Sequence, residues 1–396
     1  MNTIFSRVAD KLQNNKALAA VYSVDALLSF HYYLLIYISS SFLAQFFSAA
    51  QISAIYVIGS LGTVILLLNI SKVLQRIGNY KLLMTLIVAE ILATIGLAFS
   101  VSAGLIAIYF VIYLITIPTM YFGYDLLLEA ATVDESKTGE IRTSYLTIGN
   151  VIIVIATLLV SWILSGGNYY KVYLFSLLFI IPLYFVMQKN FRHFVDGHTP
   201  HIKFRETISA YLKNKDLGRV FNSHFLLQIF YAYMVIYMPI YLSKYIGFSW
   251  TQIGLMFTIM LLPFVFVEMP VGWIADKLWG EKEMMTAGLA IMGIFTLIIA
   301  FITTKDFWLW TSILFMTRIG AAMLEATSDS YFFKKVNKND TDTIGFYRIS
   351  GPASYIVAPI LATLSLSFLA YGHIFIILGA LMIFGCHYSM ALTDTK

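Results

Sequence analysis

Long apolar runs dominate the pattern of hydrophobic and polar positions along the chain. Stretches of about 18 or more nearly uncharged residues recur, and that length spans the roughly 30 Å hydrocarbon core of a bilayer as an α-helix. The runs lack the alternation of apolar and polar residues typical of an outer-membrane strand, so helices are predicted and a β-barrel is not. Twelve spans are predicted, near residues 17–43, 52–71, 81–101, 104–130, 143–165, 170–188, 219–242, 251–274, 284–303, 307–328, 346–368 and 371–391.

One long polar gap, residues 189–220, divides six predicted spans from six. We therefore expect an N-terminal six-helix bundle over 1–188, a C-terminal six-helix bundle over 219–396, and a cytoplasmic linker over 189–218 that carries an amphipathic helix. The first sixteen residues also place basic side chains at helical spacing with apolar ones, which predicts a short helix on the membrane surface.

Two short segments of the first half are repeated in the second half. Phe47–Ile52 is echoed by Phe248–Ile253, and Leu128–Thr132 is echoed by Leu324–Ser328, at offsets of 201 and 196 residues. Duplication of a six-span unit is the simplest explanation. Two such units in parallel orientation can rock against each other about a site at their interface, which is the geometry that transport needs.

Composition and charge place the chain in a membrane and predict its orientation. The residues are 59% hydrophobic and 12% charged, whereas a soluble domain is about a quarter charged. If the N-terminus is cytoplasmic, 22 of the 26 Lys and Arg residues lie on the cytoplasmic side. We therefore expect a multi-pass protein of the plasma membrane, or bacterial inner membrane, with both termini cytoplasmic. This asymmetry explains the net charge of +5 without a nucleic-acid partner.

The loop after the eighth predicted span combines glycine, acidic and basic residues in a recognisable order: Gly272, Asp276, Lys277 and Gly280. This order resembles the signature loop of the major facilitator superfamily. The counterpart in the first half keeps a basic residue and the second glycine, Arg76 and Gly78, whereas Gln75 stands where the acid belongs.

The resemblance implies an all-α integral membrane fold with twelve transmembrane helices in two pseudo-symmetric six-helix bundles. It also implies that Asp276 acts as a latch at the start of the fifth span, close to Arg142, because helix N-termini and arginine both stabilise a carboxylate. Glu129 and Glu325, at the inner ends of spans four and ten, are similar to acids that pair with Arg142 and Arg348 at the inner gate of sugar-porter-like members. The alternative for both acids is substrate contact.

Charged side chains inside the spans are informative because one at mid-bilayer costs about 2.5 to 3.5 kcal/mol on insertion scales. The candidates for the cavity or for ion coupling are Asp25, His31, Glu90, Asp125 and Arg318. At about 1.5 Å per residue, Asp25, Glu90 and Arg318 fall in one layer, about 12 to 15 Å from their span ends. We hypothesise that Arg318 pairs with Asp25 across the two halves, against the alternative of a permanent structural ion pair.

Side chains that can hydrogen-bond a polar solute occupy the same group of spans: Tyr32, Tyr121, His224, Gln228 and Tyr231. The last three share one face of the seventh span through their i, i+4, i+7 spacing. We expect these five side chains to contact substrate, and the alternative for the histidine and Tyr32 is a packing role.

Motifs for other functions are missing from the sequence. The chain has no glycine-rich phosphate loop and no His-Glu-x-x-His pair, and its single cysteine, Cys386, excludes an intramolecular disulfide. We therefore predict neither enzymatic activity nor a cofactor or metal.

The sequence predicts a monomeric secondary active or facilitative transporter that moves a small organic solute by alternating access. Its expected partners are the lipid bilayer, the solute, and protons or sodium as a coupling ion. The alternatives are a drug or lipid exporter of the same fold, a non-transporting membrane sensor and a membrane-embedded enzyme.

Overall fold

The computed structural model describes the chain at residues 2–131, 138–192, 211, 213–336 and 341–393. Within these ranges, the side chains of residues 2–17, 138–147, 269, 276 and 341–345 are not described. Regular structure throughout the described ranges is helical. Twelve helical segments there are long and apolar enough to cross a membrane, in agreement with the apolar runs of the sequence.

We number the twelve long helices α1 to α12 in chain order. Their bounds are α1 Asn2–Leu35, α2 Ala49–Leu68, α3 Asn79–Phe99, α4 Ala103–Ala131, α5 Thr138–Ile163, α6 Tyr169–Phe191, α7 Lys215–Ile236, α8 Trp250–Phe266, α9 Glu281–Ile299, α10 Phe307–Lys335, α11 Thr341–Leu366 and α12 Ile374–Met390. Short helical segments continue α7 to Ile246 and α8 to Trp279. We call the membrane face on which residues 2 and 393 lie the terminal face, and the opposite one the far face.

The N-terminal segment differs from the sequence-based expectation. A separate surface helix is predicted for the first sixteen residues, but α1 runs without interruption from Asn2 to Leu35. The reason is local: Lys16, Ala17, Leu18, Ala19 and Ala20 are all strong helix formers. With neither glycine nor proline at the junction, the helix continues into the membrane span. The predicted amphipathic helix of the central linker falls largely on residues 193–210, outside the described residues.

The repeated Phe-Ser motif begins equivalent helices in the two halves. Ser48 caps α2, accepting a hydrogen bond from the Gln51 backbone N–H at 3.4 Å, while the Ser48 N–H donates to the Gln51 side chain at 2.9 Å. Ser249 and Gln252 form the same capping box at the start of α8. A capping box satisfies two backbone N–H groups that a helix start leaves without partners, which gives the repeat a structural role.

Glycines also mark the equivalent turns after α2 and α8. Gly78 has φ 78° and Gly280 has φ 99°, a backbone region that L side chains rarely adopt. The second glycine of the loop motif is therefore required by the backbone in both halves, although the acid is present only in the second.

Helix packing repeats after a shift of six helices. In the first half α1 packs on α6 and α5, and α3 packs on α4 and α6. The second half repeats this arrangement with α7 on α12 and α11, and α9 on α10 and α12. The two bundles meet along two equivalent seams, α2 with α11 and α5 with α8. The predicted fold class, two pseudo-symmetric six-helix bundles, is thus confirmed, while the domain boundaries at 188 and 219 stay predictions.

Candidate functional site

Arg318 of α10 is the largest charged side chain buried between the helices. Only 1% of it is exposed, and its guanidinium lies over the rings of Phe230, at 5.1 Å, and Tyr231, at 5.7 Å. Aromatic faces attract a cation electrostatically. Among the described side chains, no carboxylate forms an ion pair with Arg318.

The predicted ion pair between Arg318 and Asp25 therefore does not form in this conformation. Asp25 is also buried, with 2% exposed, but it lies within Coulombic range of Tyr121 and Tyr124 of α4. The common depth predicted for the two charges stays a prediction. They do not pair because Arg318 turns toward the rings of α7, while Asp25 faces helices of its own bundle.

Tyr231 of α7 contacts both Arg318 and an acidic side chain of α10, the helix that carries Arg318. Its ring lies beneath the guanidinium, and its hydroxyl donates a 2.5 Å hydrogen bond to Glu325 Oε2. Glu325 is predicted to pair with Arg348 at a gate, and this pairing is absent among the described side chains. Instead, Arg348 pairs with an acid of the other bundle.

That ion pair joins Arg348 of α11 to Asp125 of α4. Both side chains are about one third exposed, at 33% and 28%. The sequence predicts a cavity role for Asp125 and a gating role for Arg348, but it gives no indication that the two meet. The pair spans the two bundles on the terminal side of the interface.

The far side of the interface is closed by direct contacts between the bundles. The hydroxyls of Ser53 and Tyr237 lie 2.8 Å apart, with only 3% and 1% of these residues exposed. Lys244 donates a 2.6 Å hydrogen bond to the backbone oxygen of Ala44. These contacts link the far-face ends of α1 and α2 to the far-face end of α7.

The terminal side of the interface is more accessible. Asn150 of α5 donates hydrogen bonds to the backbone oxygen of Phe264, at 3.3 Å, and to Glu268 Oε2, at 3.4 Å. Yet the Asp329 side chain is 40% exposed, and Glu129 is exposed at the end of α4. The bundles are thus sealed on the far face and bridged by a few polar contacts on the terminal face.

His31 and Glu90 form a buried pair inside the N-terminal bundle. Both side chains are fully buried, and His31 Nε2 lies 2.8 Å from Glu90 Oε1. His31 Nδ1 lies 3.3 Å from the backbone oxygen of Ser176, which can only accept a hydrogen bond. Thr94 and Thr116 donate to the Glu90 carboxylate. Nδ1–H donates to the Ser176 oxygen and a second proton lies between Nε2 and Glu90 Oε1, so the hydrogen-bonded pair carries no net charge.

Tyrosines of both bundles meet at the interface. Tyr32 and Tyr121 pack edge to face with ring centroids 5.9 Å apart, and the Tyr121 hydroxyl lies 3.1 Å from Ser29 Oγ. Tyr56 of α2 stacks on Tyr355 of α11 at 6.1 Å. The predicted substrate contacts Tyr32 and Tyr121 therefore lie in an aromatic wall, in which the Tyr121 hydroxyl is paired with Ser29.

His224 and Gln228 lie nearer the terminal face, within the C-terminal bundle. The His224 ring stacks on Tyr347 at 4.1 Å, and its Nδ1 lies 3.7 Å from Asp329 Oδ1. Gln228 Nε2 lies 3.3 Å from His224 Nε2. His224 is only 7% exposed, so these contacts favour the packing alternative, whereas Gln228 is half-buried.

The predicted loop residues are only partly described. Arg76 and Lys277 are exposed, and Gly272 lies in the short helix Glu268–Ile274. The side chains of Asp276 and Arg142 lie outside the described side chains, so the latch between them stays a prediction. The polar residue Asn150 and its partner Glu268 were missed as interface residues, although a carboxylate inside an apolar span is itself a signal for function.

A second missed contact lies between α9 and α10. Glu281 is 1% exposed, and it accepts hydrogen bonds from Lys334 and, at 3.3 Å, from Ser330. Glu281 follows Gly280 directly and reads in the sequence as an exposed loop residue. The end of α10, which continues seven residues past the predicted boundary at 328, brings the partners to it.

Comparisons with known proteins agree with this geometry. A family model described as Major Facilitator Superfamily matches residues 220–394. A crystal structure of an auto-inhibited POT family peptide transporter has the same fold, with a TM-score of 0.72 over 96% of this chain and 98% of that chain. Residues 220–394 are thus similar in sequence to the major facilitator superfamily. The chain is 12% identical to that transporter, so the likeness to it shows the fold alone.

No curated protein matches the sequence. The family match, the shared fold and the twelve long apolar helices together support a multi-pass membrane transporter. The interface between its bundles, with Arg318, Tyr231, Glu325, Asp125 and Arg348, is its candidate transport site.

Proposed function

We propose that the protein moves a small organic solute across the membrane by alternating access. The solute would bind between the bundles, near Arg318, Tyr231 and Glu325. The observation that carries this proposal is the unequal closure of the interface: directly packed on the far face, and held on the terminal face by partly exposed polar pairs. A rocking transporter needs two closures that form in turn around one site.

The Asp125–Arg348 pair is the proposed element of the terminal-face gate. Because both side chains are partly exposed, water can solvate the separated charges, so breaking the pair costs about 1 kcal/mol or less. Separating the buried contacts of the far face costs more, because packing is lost there together with the hydrogen bonds. The gate on the terminal face can therefore open and close at a cost that solute binding can offset.

Energy for accumulation must come from a gradient, since the sequence lacks a phosphate loop. We propose protons as the coupling ion, with Glu325 and Asp125 as the carriers, because among the described side chains the carboxylate of each accepts a hydrogen bond from one residue, which solute or proton binding can displace. The His31–Glu90 pair is held inside one bundle by three hydrogen-bonding neighbours, Ser176, Thr94 and Thr116. Loss of its proton would leave a buried charge, so we expect it to stay intact during transport.

Solute counterflow in liposomes tests transport directly. The purified protein is reconstituted with candidate solutes preloaded inside, and uptake of the labelled solute is followed. We expect exchange for at least one solute class, and Asp125→Asn should slow it about fivefold, which corresponds to about 1 kcal/mol of lost gate stability. The double exchange Asp125→Arg with Arg348→Asp restores the pair and should restore the rate.

The matched control is Asp306→Asn, at an exposed acid that caps α10 on the far face. It should leave counterflow unchanged. The absence of flux for every solute, in protein that stays monodisperse, would contradict the transport proposal. A flux unaffected by an imposed pH gradient would leave transport standing and remove proton coupling.

A further inference from the structure

Arg318 has hydrogen-bonding capacity that the protein does not use. Its Nε is buried without a hydrogen-bond partner, and none of the described side chains forms an ion pair with the guanidinium. Its neighbours are aromatic rings, those of Phe230 and Tyr231. Rings contact the face of a guanidinium and leave its in-plane N–H groups without acceptors.

A buried arginine cannot reduce this cost by losing its proton. The guanidinium stays charged under all conditions in which a protein is folded, and its five N–H donors lie in one plane as a rigid fork. A membrane-embedded charge of this kind normally faces a partner or a solvated pathway. An acidic group brought by another molecule would be the complementary partner.

The position of Arg318 suits a transported ligand. It lies on α10 of the C-terminal bundle and within Coulombic range of Tyr37 on α1 of the N-terminal bundle. The Tyr37 ring packs 4.8 Å from Phe257 of α8. A group bound at Arg318 therefore lies between the two bundles, at the edge of the closed far face.

Among the described side chains, the nearest acid on the same helix forms no ion pair with Arg318. Glu325 follows Arg318 by seven residues, about 10 Å along the helix, and its carboxylate accepts the Tyr231 hydroxyl at 2.5 Å. Asp125 is engaged by Arg348 from the other bundle. Glu325 lies within Coulombic range of Arg318, but neither described acid forms an ion pair with the guanidinium, whose N–H donors stay open to a carboxylate from another molecule.

From this arrangement we infer that Arg318 binds a carboxylate group of the transported solute, through a two-point contact to its fork of N–H donors. This inference rests on the proposed transport function and assigns the chemical class of its substrate. A carboxylate fits the planar fork. The single positive charge of Arg318 balances the single negative charge of a carboxylate. It would leave one of the two negative charges of a phosphate dianion unbalanced. The aromatic wall supplies contacts for an apolar or ring-bearing body.

Thermal stabilisation of the purified full chain tests this assignment. The probes are matched pairs that differ only in charge, phenylacetate with phenylacetamide and benzoate with benzamide, together with phenyl phosphate. Aliphatic monocarboxylates and neutral sugars complete the panel. A ligand that binds the folded state raises the melting temperature by mass action. We expect monocarboxylates to stabilise the protein and their amides to have at least tenfold weaker apparent affinity.

Two variants connect the effect to Arg318. Arg318→Gln should weaken carboxylate binding tenfold or more, while Arg318→Lys, which keeps the charge and loses the fork, should retain part of it. Lys81→Gln removes an equivalent charge at an exposed position on the terminal face and should leave binding unchanged. If Arg318→Gln fails to fold, comparing carboxylates with amides on the wild-type protein and on Arg318→Lys still tests whether Arg318 binds a carboxylate.

The proposal is overturned if no carboxylate in the panel stabilises the wild-type protein, or if carboxylates and amides act equally. Equal stabilisation of the wild type and Arg318→Gln by carboxylates also overturns it, as does a preference for phenyl phosphate. Counterflow separates this failure from failure of transport itself. A neutral or cationic solute that exchanges through the liposomes upholds the transport function and rejects the carboxylate subsite.

Discussion

At the scale of single residues, buried polar groups divide into those that the protein neutralises internally and those that it leaves for another function. His31 and Glu90 belong to the first kind, since both are fully buried and hydrogen-bonded within one bundle. Arg318 belongs to the second. The sequence identifies all three as candidates because a charge inside an apolar span is costly. It does not distinguish the two kinds, because that depends on which neighbouring helix supplies a partner.

Removing Glu90 should destabilise the N-terminal bundle. Glu90→Ala leaves the His31 imidazole and the Thr94 hydroxyl without their carboxylate partner, and breaking a buried pair costs about 3 to 5 kcal/mol. Glu90→Gln keeps a hydrogen-bonding group of the same shape and should cost less. Thermal unfolding in detergent measures both, with Glu283→Ala at an exposed position of α9 as the control. Equal melting temperatures for Glu90→Ala and the control would show that the pair is not structural.

At the scale of helices, close packing depends on where glycine, which has no side chain, lies at a helix crossing. Gly288 of α9 and Gly320 of α10 face each other, so a Cβ on Gly320 would lie 2.6 Å from the Gly288 backbone oxygen. Small residues at such crossings let helix backbones approach closely in membranes. The sequence predicts both helices and their approximate bounds. Which glycines mark the crossing is decided by helix rotation, which the all-round apolar surface of these segments does not specify.

Adding one methyl group at this crossing should separate the helices. Gly320→Ala places its Cβ against backbone atoms that cannot move aside independently, and overpacking of this kind costs about 1 to 3 kcal/mol. Alanine itself favours a helix over glycine by about 1 kcal/mol, so the observed loss is a lower bound on the steric cost. Gly104→Ala is the matched control, since its nearest neighbour is Ser102 Oγ at 4.0 Å. Comparable thermal unfolding of the two variants would contradict the close crossing.

At the scale of the whole molecule, two similar bundles meet along two equivalent seams. The seams α2 with α11 and α5 with α8 exchange under the pseudo-twofold relation, although the polar residues along them differ. Asp125 pairs with Arg348 on the terminal side, and Ser53 meets Tyr237 on the far side. This difference between the two faces is a property of the assembled bundles, and it underlies the proposed alternating access.

The distribution of basic residues predicts that both termini are cytoplasmic, and labelling tests this orientation. In a Cys386→Ala background, Lys305→Cys lies on the far face and Lys213→Cys on the terminal face, both at exposed positions. If the terminal face is cytoplasmic, an impermeant maleimide should modify Lys305→Cys in intact cells and Lys213→Cys only after permeabilisation. The cysteine-free background controls for other reactions. The reverse pattern would place the termini outside.

The sequence by itself determined the twelve spans, the duplicated architecture and the turns at Gly78 and Gly280. It could do so because a bilayer requires apolar helices of a fixed length, and because a left-handed turn requires glycine. Only the tertiary structure decided that Arg348 meets Asp125 and not Glu325, and that Arg318 lies over rings and not beside Asp25. Those partners come from other helices, and their choice depends on the rotation and docking of whole bundles, which residue spacing along one helix does not encode.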